Sequence, residues 1–324
     1  MKKRLIALAS VCFLSITIFS ACSGSSKDFL AFDESAALSV SSTFNLLTPA
    51  DYFSDGLVTV TQGENSGEDS ELTSGANLLV NRTDKELIYA DNVYDRLYPA
   101  SLTKLMTALV VLKRGELTDS VTVSYNASHI TEAGAKLCGF EEGDVISLEA
   151  LLKSLLIYSG NDAAVAIADH MGGSEEAFVN IMNEESIRIG AVHTNFVNPN
   201  GLHDDNQYTT AYDIYLIFNE LLNYDTFRSI IATDSYTASY QDKKDNPKEK
   251  TFLATNQYLT GKSDTPEGLT IIGGKTGTTS KAGNCLVLLS KDDAGKEYIS
   301  VILKASSSDA LYNQMSYLLR FATQ

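Results

Sequence analysis

The chain has no tryptophan, five prolines and four histidines, and its 41 carboxylates outnumber 25 lysines and arginines. Each shortage excludes something. A formal net charge of -16 argues against binding DNA or RNA, whose backbones call for basic patches. The histidines (His129, His170, His193 and His203) are scattered and no Cys-x-x-Cys occurs, so metal-site spacing is missing and no cofactor is expected. Nothing Walker-like or Gly-x-Gly-x-x-Gly is present, which leaves nucleotide binding without local support. Long apolar runs are also scarce. The one at Leu5 to Phe19 is short for a membrane span.

That run belongs to the N-terminal stretch "MKKRLIALASVCFLSITIFSACSGSS". Lys2, Lys3 and Arg4 precede it, and small residues Ser20 and Ala21 follow it, directly before Cys22. This is the pattern of an export signal over residues 1–22. The small residues before Cys22 resemble the lipobox of bacterial lipoproteins, although Phe19 stands where that motif prefers Leu. The resemblance implies a lipid on Cys22, and hence the membrane as a partner outside the cytoplasm. With Cys12 in the leader, only Cys138 and Cys285 remain for the folded part. Two readings stay open for them, a disulfide or two buried thiols.

The length of 324 residues and an apolar fraction of 44% give ample material for a core. Residues 23–74, with "TQGENSGEDSELTSG", read as a flexible acidic tether. From Ala76 "NLLVNRTDKELIYADN" reads as two strands with a polar turn. Leu102 to Lys113 reads as a helix ended by Gly115, and Ser147 as the cap of a helix over Leu148 to Tyr158. Ser159-Gly160-Asn161 interrupts it before another helix near Asp162. Helices follow over Glu175 to Ile189 and residues 211–223, with "YQDKKDNPKEK" as a charged hairpin tip. Three strands (Thr270 to Thr276, Asn284 to Leu289, Tyr298 to Lys304) and a helix from Asp309 to Phe321 close the chain. The order implies an α+β fold, an antiparallel sheet flanked by helices with an inserted all-α part.

Three short patterns stand in order: Ser101-x-x-Lys104, Ser159-x-Asn161 and Lys275-Thr276-Gly277. Taken singly, they read as a helix cap, a turn and a strand end. Together they suit one chemistry. Residues i and i+3 share a helix face, so Lys104 can approach the Ser101 hydroxyl, and a desolvated lysine can take its proton. The helix N-terminus favours negative charge at Ser101 and offers a backbone N–H to an oxyanion. A hydroxyl and an amide at a helix break, Ser159 and Asn161, can relay a proton and orient a carbonyl. Lys275 and Thr276 suit a carboxylate, with glycines leaving room for a peptide.

The blocks "YPASLTKLMTALV", "SGNDAAVAIAD", "HTNFVNPNGL" and "GGKTGTTSKAGNCLV" resemble the serine-type D-alanyl-D-alanine carboxypeptidases, the low-molecular-mass penicillin-binding proteins. The resemblance runs from Ala76 to the end and implies a β-lactamase/DD-peptidase-like fold over residues 75–324. It implies Ser101 as nucleophile, Lys104 as base, and Ser159 and Asn161 as assistants. Lys275, Thr276, Gly277 and Thr278 would bind the substrate's terminal carboxylate, with the N–H groups of Ser101 and Thr278 as oxyanion hole. Peptidoglycan stem peptides are the implied partners, and β-lactams the implied acylating inhibitors. Endopeptidase or transpeptidase action would use the same residues. Three departures stand out: Thr278 replaces a bulkier residue of many relatives, the loop "GAKLCGF" places Cys138 near the region that borders the cleft in relatives, and the extra C-terminal β-domain is not expected. A β-lactamase would need a Glu in "HTNFVNPNGLHDDNQ", which has only Asp204 and Asp205. A non-catalytic wall-binding lipoprotein would be free to lose Ser101, Lys104 or Lys275, and keeps all three.

Overall fold

The computed structural model of the chain describes residues 57–323 apart from 62, 64 and 68. The leader over 1–22, the lipidation candidate Cys22 and the tether as far as residue 56 lie outside the described residues. In chain order the elements are β1 (Ala76–Asn81), β2 (Glu86–Asp91), α1 (Thr103–Arg114), β3 (Ser120–Thr122), α2 (Tyr125–Ser128), β4 (Val145–Ser147) and α3 (Leu148–Lys153). Then come α4 (Asn161–Gly172), α5 (Glu175–Arg188), α6 (Ala211–Leu221), α7 (Asp225–Ile231), β5 (Ser235–Gln241) and β6 (Pro247–Leu253). β7 (Leu269–Thr279), β8 (Gly283–Asp292), β9 (Glu297–Ala305) and α8 (Ser308–Leu319) complete the domain.

The main sheet is antiparallel, in the order β2-β1-β9-β8-β7. Its central strands are largely apolar, "CLVLL" in β8 and "YISVIL" in β9 with Ser300 the one polar interruption, because helices cover both faces. Side chains alternate along each strand. Val287, Leu289, Val301 and Leu303 therefore join Leu105, Leu109, Ile214 and Phe218 of α1 and α6 in one cluster. Leu286, Leu288 and Ile302 join Leu311, Met315 and Leu318 of α8 in the other. Each such side chain contributes roughly 1.5–3 kcal/mol on burial. The sheet thus becomes a rigid plate with β7 at one edge.

The part between β2 and β7 is helical at its centre, as the sequence implied. It also carries a second sheet, ordered β3-β4-β5-β6, so the insert is not all-α. Its strands β3 and β4 have three residues each, too short for a periodicity of two to register in the sequence. The charged run at residues 242–246 is the tip of the β5–β6 hairpin.

The reading of 23–74 as tether requires correction at its end. Val58 and Val60 are buried, and so is Leu72. The Tyr215 hydroxyl accepts a hydrogen bond from the Val58 N–H at 2.8 Å, Tyr212 donates to the Val58 carbonyl at 3.1 Å, and Tyr94 donates to that of Val60. Ser74 N donates to the Gln314 side chain at 2.8 Å. The surrounding Ser, Glu and Gly masked three isolated apolar residues that find partners only in the folded domain. Replacing Tyr215 with Phe leaves a buried N–H unpaired, and should lower stability by about 1–3 kcal/mol. Urea unfolding measures this, and an unchanged midpoint would mean that the 57–60 segment adds nothing to the fold.

Candidate active site

The Ser101 turn is built by local strain and long-range pressure together. Pro99 leads into Ala100, whose φ of 47° is rarely adopted by a non-glycine residue. Ala100–Leu102 form one tight turn before α1, and the Ser101 hydroxyl caps nothing there. The turn is held from outside by Gly201, where an added Cβ would lie 2.0 Å from the Ala100 carbonyl oxygen. Its φ of 86° is a second reason for glycine at that position.

Lys104 follows in the first turn of α1 and is fully buried. Its Nζ lies 3.0 Å from Ser101 Oγ and 2.7 Å from Asn161 Oδ1, and it donates to the Asn200 carbonyl. Burial is the dominant influence on this amine and brings its pKa down to about 7. It is therefore poised to exchange a proton with Ser101 near neutral pH.

The second pattern sits where α3 unwinds into a wider turn over residues 154–158 and the chain reverses at Ser159, with φ 73°. α4 begins at Asn161, whose N–H donates to the Lys136 carbonyl at 2.8 Å. The next residue, Asp162, accepts from the N–H groups of Cys138, Gly139 and Phe140 at 2.9, 2.7 and 3.2 Å. These bonds tie the loop before β4 to the start of α4. Cys138 and Cys285 are free buried thiols, so of the two readings for them the second holds.

On β7, Lys275 is buried and its Nζ lies 2.9 Å from Ser159 Oγ and 2.8 Å from the Thr276 carbonyl. Burial first, and the nearby Lys104 and Lys136 second, hold its pKa well below the usual lysine range. A Cβ at Gly277 would stand 3.0 Å from the Ser101 N–H nitrogen, so a larger residue there would press on the nucleophile's turn. Thr276 Oγ1 pairs with Thr255 Oγ1 at 2.6 Å, and Thr278 donates to Asn284 Oδ1 at 3.2 Å.

All eight candidate site residues thus meet. Ser101, Ser159, Thr276, Gly277 and Thr278 line a cleft of about 260 Å³, with Lys104, Asn161 and Lys275 buried at its base. Lys136, from the loop expected near the cleft, and Asn284, from the last of the four blocks, line it too without having been singled out, and Thr255, Gln257 and Tyr312 line it unforeseen. They come from loops and elements distant in sequence and carry no motif of their own. Asp162 and Asn200 were legible only as neighbours of motif residues. No histidine lines the cleft, and no group of acidic, His or Cys residues suited to a metal occurs among the described residues.

Comparison with known proteins agrees with this geometry. A profile described as D-alanyl-D-alanine carboxypeptidase, peptidase family S11, matches residues 62–307. The chain is 32% identical to the D-alanyl-D-alanine carboxypeptidase DacF of Bacillus subtilis over 251 residues, 76% of this chain and 61% of that protein. It is 32% identical to DacC of Escherichia coli over 264 residues, covering 79% and 62% of the two chains. The alignments with these curated relatives thus span about three fifths of their length. The Streptomyces K15 DD-transpeptidase superposes with a TM-score of 0.72 at 27% identity, covering 78% of this chain and 97% of that one. The D-alanyl-D-alanine carboxypeptidase DacD of Francisella tularensis gives 0.68 at 25% identity, covering 82% and 75%. With the Ser-Lys pair, the Ser-Asn turn and the Lys-Thr-Gly strand gathered in one cleft, the chain belongs to the D-alanyl-D-alanine carboxypeptidase family, peptidase S11.

Proposed function

We propose that the chain is an exported serine D-alanyl-D-alanine carboxypeptidase acting on peptidoglycan stem peptides and acylated by β-lactams. The observation that carries this is the buried Lys104 amine, 3.0 Å from Ser101 Oγ and fixed by Asn161. In this reading the terminal D-Ala carboxylate lies against Thr276, Thr278 and Lys275. Ser101 Oγ attacks the carbonyl carbon of the penultimate D-Ala while its proton passes to Lys104. The N–H groups of Ser101 and Thr278 hold the oxyanion. The C–N bond then breaks, a proton reaches the leaving amine by way of Ser159, and free D-Ala departs. Water, deprotonated by Lys104, attacks the ester and releases the shortened peptide with Ser101 restored. The leader and Cys22 support placement at the outer face of the cytoplasmic membrane through an N-terminal lipid.

The first test is acylation. Incubated with a labelled penicillin, the protein should carry the label on Ser101 by mass spectrometry, and a peptide ending in D-Ala-D-Ala should lose one D-Ala. A protein that does neither would sink the reading. Replacing Lys104 with Arg removes the base while keeping the charge, and should slow acylation by about 10²–10⁴-fold.

The pH profile has a definite sign. Lys104 acts as a base only when unprotonated, so acylation should rise with pH up to about 7 and level off above it. An inflection near the ordinary lysine value would remove Lys104 from this role. Finally, changing Cys22 to Ala should shift the protein from the membrane fraction to the soluble fraction on cell fractionation. Unchanged membrane retention would disprove the lipid anchor.

A further inference from the structure

The loop before β4 contributes one charged side chain to the cleft, and the mechanism above does not use it. Lys136 lines the cleft beside Ser101 and Ser159, and it is the only charged residue among the described residues that line it. Lys104 and Lys275, at the base, are committed to hydroxyl, amide and carbonyl oxygens. The Lys136 ammonium instead sits 4.0 Å above the Tyr158 ring and makes no ion pair among the described residues. In a protein of net charge -16, the lining of this cleft carries one lysine and no carboxylate, while beneath it lie Lys104, Lys275 and the buried Asp162 carboxylate. Such a site concentrates anions.

The lysine is also held where it can select. Its carbonyl accepts the Asn161 N–H at 2.8 Å, and the next turn of the loop is fastened by the three N–H bonds to Asp162. Lys250 adds a bond to the Cys138 carbonyl at 3.2 Å. The loop is therefore an arm anchored to the same helix start that positions Asn161. Lys136 is exposed as a residue, yet partial desolvation of its amine lowers its pKa, and a carboxylate arriving beside it would offset that desolvation. The terminal carboxylate of the substrate already has Thr276, Thr278 and Lys275 on β7. The cation on the loop is left for another one.

We propose that Lys136 is a specificity-determining residue that binds a second carboxylate, on the residue preceding D-Ala-D-Ala in the substrate. This rests on the carboxypeptidase reading. It predicts a preference for acidic over neutral stem peptides that no other lining residue can supply by charge.

The test compares two peptides that differ only in Glu or Gln before D-Ala-D-Ala, with D-Ala release measured as kcat/KM. The wild-type protein should prefer the Glu peptide by about tenfold or more, as a charge-assisted contact gives, and the preference should shrink with added salt. Lys136→Met should bring the ratio close to one, and Lys136→Arg, which retains the charge, should keep it. Penicillin labelling of Ser101 in each variant reports that the cleft has formed. A wild-type ratio near one, or a preference surviving in Lys136→Met, overturns the inference and leaves the carboxypeptidase reading standing. So does a Met variant that slows both peptides equally with a displaced pH profile, because Lys136 would then act by tuning Lys104. Release of D-Ala from neither peptide by the wild-type protein overturns the carboxypeptidase reading and the inference with it.

Discussion

An ammonium group taken out of water is the constraint around which this domain is arranged. Removing the charge of Lys104 from solvent costs several kcal/mol unless oxygens replace its hydration shell. Three do so, from Ser101 on the same helix, Asn161 at the start of α4, and the Asn200 carbonyl in the loop after α5. Each comes from a different part of the chain, so the amine is satisfied only when the helical part is folded. The residual cost is expressed as a pKa of about 7, which suits an amine to accept a hydroxyl proton.

The remaining architecture brings the sheet to that amine. Two hydrophobic clusters clamp β8 and β9 from both faces and make the plate rigid. β7, at its edge, can then approach the Ser101 turn to the limit that Gly277 sets. The same approach brings Lys275 within 2.9 Å of Ser159 and places two depressed lysines in one site. Repulsion from Lys104 adds to the depression that burial imposes on Lys275. An anion entering the cleft relieves it, which links substrate charge to the protonation of the site.

Legibility in the sequence followed the range of the interactions. Long elements with strong patterns were readable: the β1–β2 pair, α1, α5, the three final strands and α8. Ser101 and Lys104 were readable as a pair because three residues of helix bring them together whatever else folds. The short strands β3 and β4 were not, since three residues cannot display a period. The packing of Val58 and Val60 was hidden by polar neighbours, and its partners Tyr212 and Tyr215 lie some 150 residues away (|i−j| of 154 and 157). Lys136 and Thr255 had no local signature, because what marks them is the cleft they face.

The sequence by itself determined the chemistry available: two serine hydroxyls, two lysines, an amide, and glycines at the positions where a backbone must pass close by. It also determined that Ser101 and Lys104 share one helix face. Only the tertiary structure decided what those groups do. Proton affinity depends on solvent exclusion and on neighbouring charges, and neither exists until the sheet edge, the α4 start and the Asn200 loop close around Lys104. In an extended chain Ser101 is a turn residue and Lys104 an ordinary solvated cation. In the fold, burial makes one a candidate nucleophile and the other its base.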